Sequence, residues 1–168
     1  MRTLYLHGLD SYPIPEKKQI MKDAGLDVTA LHFNYREELG IFETIKDTAL
    51  RKNIEFIIGS SLGGYLGNVL AEDLGLPCLL FNPAMHYTDV FYSKIPKIDK
   101  PKCPTRYVVL GLHDETINPN YTVKVLREKG CKNSMQRVLT AHWLGHEIDL
   151  RTFKEMVNWA VSSLKNNS

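Results

Sequence analysis

The chain lacks an apolar run approaching the roughly 20 residues that a helix needs to cross a bilayer, so no membrane partner is expected. It has no block of Lys and Arg and no stripe of basic residues interleaved with aromatics. With a net charge of only +2, nucleic-acid binding finds no support either. The local group Lys94, Lys97, Lys100 and Lys102 reads as a solvated loop. Cysteine is scarce. Cys78, Cys103 and Cys131 cannot all pair, and their spacing fits no zinc site. That usage is the one expected of a reducing, cytoplasmic setting, with Cys78 as a core residue. The opening Met1–His7 is too short and polar to read as a signal peptide. Internal repeats and low-complexity segments are missing as well. The glycine-rich stretch 59–64 has no Gly-Lys-Ser/Thr, which removes a phosphate-cradling loop. His142 and His146 stand four apart, but Gly145 interrupts any helix between them and no Glu follows His142. No metal and no cofactor is therefore expected.

What is present is a regular alternation. Apolar runs at Thr3–His7, Val28–Phe33, Glu55–Gly59, Pro77–Phe81, Arg106–Leu110 and Met135–Thr140 read as six strands. Between and after them lie helical patterns: Glu16–Ala24, the face Ile41, Phe42, Ile45 and Ala49, Leu62–Leu74 closed by Gly75, and Tyr121–Lys129 stopped by Gly130. A last stripe, from Leu150 to Leu164, has Asp149 as its N-cap. Strands that alternate with helices predict an α/β fold with a mostly parallel six-stranded sheet covered on both faces. The 168 residues suit one domain. Only 82–104, rich in proline and aromatics, looks inserted. It is expected to form a short rim or lid. Met85, Tyr87, Phe91 and Tyr92 either line an acyl pocket there or pack the loop onto the body.

Ligands in such sheets bind beyond the carboxyl ends of the strands. The chemistry-bearing residues fall at those ends: His7-Gly8, Ser61, Asn82-Pro83, Asp114 and the pair His142/His146. The strongest motif is Phe56-Ile57-Ile58-Gly59-Ser60-Ser61-Leu62-Gly63-Gly64-Tyr65. A buried strand runs into Gly-x-Ser-x-Gly and opens directly into a helix, which is the pattern of a nucleophile elbow. Ser61 is its centre, and only small residues fit two positions to either side. A serine hydroxyl needs a base to take its proton, and the base needs a third group to orient it. The chain order nucleophile, acid, histidine then picks Asp114, with Glu115 as the alternative acid. It offers His146 ahead of the final helix, with His142 as the competing base. An oxyanion hole calls for two backbone N–H groups. Leu62, after the nucleophile, supplies one. Leu9, in the loop after the first strand, supplies the other, with Asp10 as its alternative. His7 reads as a structural hydrogen-bonding residue, and Tyr65 as a packing or pocket-wall residue.

Together, Leu4-Tyr5-Leu6-His7-Gly8-Leu9-Asp10-Ser11, the elbow 59–65 and Phe81-Asn82-Pro83-Ala84 resemble the YqiA/YcfP-type small esterases, the UPF0227 family of the α/β-hydrolase superfamily. Asp114-Glu115 and His146 extend the likeness over nearly the whole chain. The resemblance implies a compact α/β-hydrolase fold without the usual first two strands. It also implies hydrolysis of small carboxylic esters by Ser61, Asp114 and His146. The chain departs from that pattern by two extra residues between the last strand and Gly145-His146. The expected function is a serine esterase or thioesterase acting on a small acyl substrate through an acyl-enzyme. A non-catalytic binding protein on the same scaffold, and an acyltransferase or peptidase using the same triad, are the alternatives. Nothing in the residues addresses oligomeric state.

Overall fold

The computed structural model describes residues 1–86, 89–90, 93–129 and 135–166. Six strands form one all-parallel sheet: β1 (Arg2–Leu6), β2 (Asp27–Leu31), β3 (Phe56–Ser60), β4 (Cys78–Phe81), β7 (Arg106–Gly111) and β8 (Gln136–Ala141). Their order across the sheet is β2-β1-β3-β4-β7-β8. Two further strands, β5 (Asp89–Val90) and β6 (Ser93–Lys94), pair antiparallel inside the expected insertion. The helices are α1 (Pro15–Asp23), α2 (Ile41–Arg51), α3 (Ser61–Leu74), α4 (Pro119–Lys129) and α5 (Leu150–Lys165).

The inner strands β1, β3, β4 and β7 are buried on both sides because helices cover both sides, whereas the edge strands β2 and β8 stay partly exposed. Successive residues feed two separate cores. Leu4, Leu6, Ile57, Leu80, Val108 and Leu110 pack against α2, α3 and α4. Tyr5, Phe56, Ile58, Phe81, Tyr107 and Val109 pack against α1 and α5. The stripe expected for the last helix is the one used, with Phe153, Val157, Ala160 and Val161 buried. Asp149 caps it by accepting from the Thr152 amide at 2.9 Å.

Cys78 is a free thiol in the first core, and burial pushes its pKa up to about 12. Cys103 is disulfide-bonded, which weighs against the reading of uniformly reduced cysteines. Cys131 and Gly130 lie outside the described residues. Among the described residues, no helix is long and apolar enough to cross a membrane.

Candidate active site

The elbow forms where β3 ends and α3 begins without an intervening loop. Ser61 takes φ of +52°, a left-handed conformation that costs a non-glycine residue energy and persists where the surroundings enforce it. The close approach that enforces it explains the flanking glycines. A Cβ on Gly59 would lie 2.5 Å from the Gly63 carbonyl oxygen. One on Gly63 would run into the carbonyl of His7 and lie 2.5 Å from that of Leu6. The loop after β1 also comes close, though less tightly. A Cβ on Gly8 would sit 3.3 Å from the Ser61 Cβ.

Asp114 lies three residues beyond β7 with its side chain fully buried. Oδ1 accepts from the amides of Thr116 and Ile117, both at 2.8 Å. These two bonds fix the carboxylate so that Oδ2 faces His146 Nδ1 at 2.8 Å. Glu115, the alternative acid, is exposed. His146 is partly exposed and opens onto a cavity of about 440 Å³ that Ser61, Gly8, Leu9, Tyr5 and Lys17 also line. His142 is exposed and packs its ring edge-on to Trp143 instead. Among the described residues no hydrogen bond joins Ser61 Oγ to His146.

Leu62 is buried in the first turn of α3, where helix geometry leaves backbone N–H groups without an intrahelical acceptor. Leu9 lies on the cavity wall. Asp10, also on that wall, has φ of +52° and is held by Arg36 Nε at 2.8 Å, a bond that keeps its carboxyl below the ordinary range. His7 is tied in place. Its Nε2 accepts from the Phe33 amide at 3.0 Å, so Nδ1–H donates to the Gly8 carbonyl at 2.7 Å. Burial holds its pKa below the ordinary value.

Three further residues shape the site: Lys17 and Tyr5, which no motif singles out, and Asn82, already marked by its place at a strand end. Lys17 lines the cavity with its ammonium 5.2 Å from the centre of the Phe153 ring. Burial lowers its pKa, while Glu147 and Asp149 oppose that shift. Tyr5 presents a buried phenol there, which desolvation raises to about 12. Asn82 reaches from the end of β4 to the backbone of the His146 loop. The Asn-Pro pair after a strand was a visible signal for the last of these. Nothing local marks Lys17 as half-buried.

Met85 belongs to the first core and lines a different cavity, of about 380 Å³, between α3, α4 and residues 85–86 and 96–101. Among the described residues, none from 83–104 lines the cavity that holds Ser61. Tyr87, Phe91 and Tyr92 lie outside the described residues. Tyr65 also lines the second cavity.

Comparison with solved structures agrees with this architecture. The chain superposes on a hydrolase of the alpha/beta superfamily from Xanthomonas campestris pv. campestris with a TM-score of 0.67, at 15% identity and 99% coverage of both chains. The monoacylglycerol lipase of Paleococcus ferrophilus gives a TM-score of 0.72 at 12% identity, covering 96% of this chain and 94% of the lipase. SOBER1 of Arabidopsis thaliana gives 0.63 at 18% identity, covering 98% and 99%. At these identities the likeness establishes the α/β-hydrolase fold. No curated protein matches the sequence. The pattern of UPF0227, described as an uncharacterised protein family, matches residues 2–118, and the chain belongs to that family.

Proposed function

We propose that the protein is a serine hydrolase that cleaves small carboxylic esters or thioesters through an acyl-enzyme. The observation that carries this reading is the His146 Nδ1–Asp114 Oδ2 contact of 2.8 Å, with His146 and Ser61 on the wall of one cavity. An imidazole that donates Nδ1–H to a carboxylate keeps Nε2 free to accept a proton. Ser61 Oγ then attacks the acyl carbonyl as its proton passes to Nε2. The amides of Leu62 and Leu9 receive the negative charge on the carbonyl oxygen. His146 returns the proton to the departing alcohol or thiol. A water, deprotonated by the same nitrogen, attacks the acyl carbon, the bond to Ser61 Oγ breaks, and His146 returns the proton to Oγ as the acid departs. This scheme uses no metal or cofactor.

We read residues 1–168 as one hydrolase domain with 82–104 inserted. We infer a preference for short acyl chains, since among the described residues none from 83–104 covers this cavity. Acetyl and butyryl esters should turn over faster than dodecanoyl esters, and the opposite ranking refutes that part. For location, the scarcity of cysteine points to the cytoplasm and the bonded Cys103 points away from it. Thiol labelling in freshly lysed cells decides between them.

The second reading is a binding protein on a hydrolase scaffold. The open Ser61–His146 leg favours it, although such bonds are often long in substrate-free enzymes and tighten on binding. Intact-mass spectrometry after fluorophosphonate treatment separates the two. One adduct on the wild type and none on Ser61→Ala supports the hydrolase. No adduct on the wild type supports the scaffold.

A further inference from the structure

We propose that Asn82 is a positioning residue that sets how closely His146 approaches Ser61. The inference rests on the reading of Ser61 as nucleophile and His146 as base. Asn82 follows β4 directly, is 2% exposed, and has φ of +41°, a conformation that Asn tolerates better than most residues. All the polar groups of its side chain are engaged. Nδ2 donates to the carbonyl of Gly145 at 2.8 Å and to that of His146 itself at 3.1 Å. Oδ1 accepts from the Gly111 amide at 2.8 Å, at the end of β7. The amide orientation is unambiguous, because Gly111 N–H needs an acceptor and the two carbonyls need a donor.

Two residues further on, the Ala84 amide donates to the Ser61 carbonyl at 3.0 Å. The turn Asn82-Pro83-Ala84 therefore touches the backbone of the nucleophile at one end and of the base at the other. The loop is also held on either side of His146, by His113 N–H to the Leu144 carbonyl at 3.1 Å and by Leu144 and Ile148 buried in the second core, but among the described residues no other hydrogen bond reaches the His146 carbonyl. Asp114 orients the imidazole ring, but one contact at Nδ1 leaves the ring free to move about that point. The backbone position of His146 decides where Nε2 lies, and Asn82 holds that backbone. A shift of about 1 Å at a reacting group costs on the order of 10²-fold in rate.

Two substitutions isolate the effect. Asn82→Asp preserves shape and the Gly111 contact but turns a carboxylate oxygen toward two carbonyls. Asn82→Gly suits the positive φ and removes the side chain. Reactive sites are counted by end-point fluorophosphonate labelling, and kcat and KM for a short-chain ester are expressed per labelled site, so partly unfolded protein does not mask the result. The expected outcome is a kcat lower by about ten- to one hundredfold in both variants, with KM within about threefold of the wild type. A purely structural Asn82 would lower the melting temperature and the number of labelled sites while leaving kcat per site unchanged, and that result overturns the proposal. If the wild type takes no label at Ser61, the hydrolase reading falls and this inference with it. If the wild type labels and the variants match it per site, only the role of Asn82 falls.

Discussion

Asp114→Asn is the most discriminating single change, because the structure dictates how the new amide must sit. Oδ1 of Asp114 accepts from the amides of Thr116 and Ile117, and Oδ2 faces His146 Nδ1. An asparagine can present its oxygen to only one of these sides. Turning the NH₂ toward the two backbone amides leaves both unsatisfied, at about 1–3 kcal/mol each. The opposite orientation loses only the acceptor at Nδ1. The oxygen therefore stays on the amides, and the NH₂ points at His146. Nδ1 must then become the acceptor, which moves the ring proton to Nε2, the atom that the proposed mechanism needs as acceptor for the Ser61 proton. The wrong tautomer predicts a fall in kcat on the order of 10³- to 10⁴-fold, or about 4–5.5 kcal/mol of barrier. The assay is turnover of an aryl acetate near pH 7.5, with the rate of fluorophosphonate labelling as a second readout. The melting temperature should hold within a few degrees, since the two amide bonds survive. Glu115→Gln, at an exposed position, should stay within about twofold of the wild type. A folded Asp114→Asn that keeps more than a tenth of its turnover, or a Glu115→Gln that loses as much, would refute the reasoning.

His146→Ala should lose at least about 10²-fold in the same assay, whereas His142→Ala, whose ring lies on Trp143, should stay within about threefold; the reverse ranking would make His142 the base. His7 predicts an acid-sensitive fold. Its folded pKa lies below the ordinary 6.5 because the ring is buried, so the unfolded chain takes up a proton that the folded chain resists. That contribution to stability is complete above about pH 6.5 and is lost progressively as pH falls below it. Urea titrations at several pH values should show a shallower decline in His7→Gln, and equal slopes would remove His7 from the account. Gly63→Ala places a methyl against the carbonyls of His7 and Leu6, both backbone atoms that cannot swing aside. It should destabilise the fold by about 1–3 kcal/mol or more, and a thermal melt unchanged from the wild type would contradict the packing described.

The parts of this molecule legible in the sequence are those whose cause is local. A strand covered on both faces is apolar over most of its length, so β1, β3, β4 and β7 stand out as runs, and the elbow combines such a run with small residues at fixed spacing. Chain order and strand ends singled out Asp114 and two candidate histidines, His146 and His142. Which of the two meets Asp114 was not legible, because it depends on how a loop folds over Gly111 and His113 rather than on any pattern within it. Asn82 was visible as a position, but its partners lie 29 to 64 residues away. The β5–β6 hairpin has strands of two residues, too short to show a period of two. Lys17 reads as an ordinary charged position on α1. Its burial comes from α5, through Phe153, more than 130 residues later.

Arg106 shows how far from the cavity the geometry of the site is constrained. It opens β7, is 1% exposed, and donates to Asn68 Oδ1 at 2.8 Å and Glu72 Oε1 at 2.6 Å, both on α3. The same two elements lead to the proposed nucleophile and acid at their other ends: α3 begins at Ser61, and β7 ends three residues before Asp114. A buried ion pair is weak evidence of net stability, because desolvating two charges offsets most of their attraction. Separating such a pair is another matter, since it leaves a charge buried without a partner at a cost of about 3–5 kcal/mol. Any slide of α3 along β7 must pull Glu72 and Asn68 off the guanidinium. An apolar contact at this place would tolerate such a slide, because one methyl packs much like the next. Hydrogen bonds from a planar guanidinium to two defined oxygens do not. The charge thus constrains register where a larger hydrophobic core would not, and the register in question is the one that relates Ser61 to Asp114.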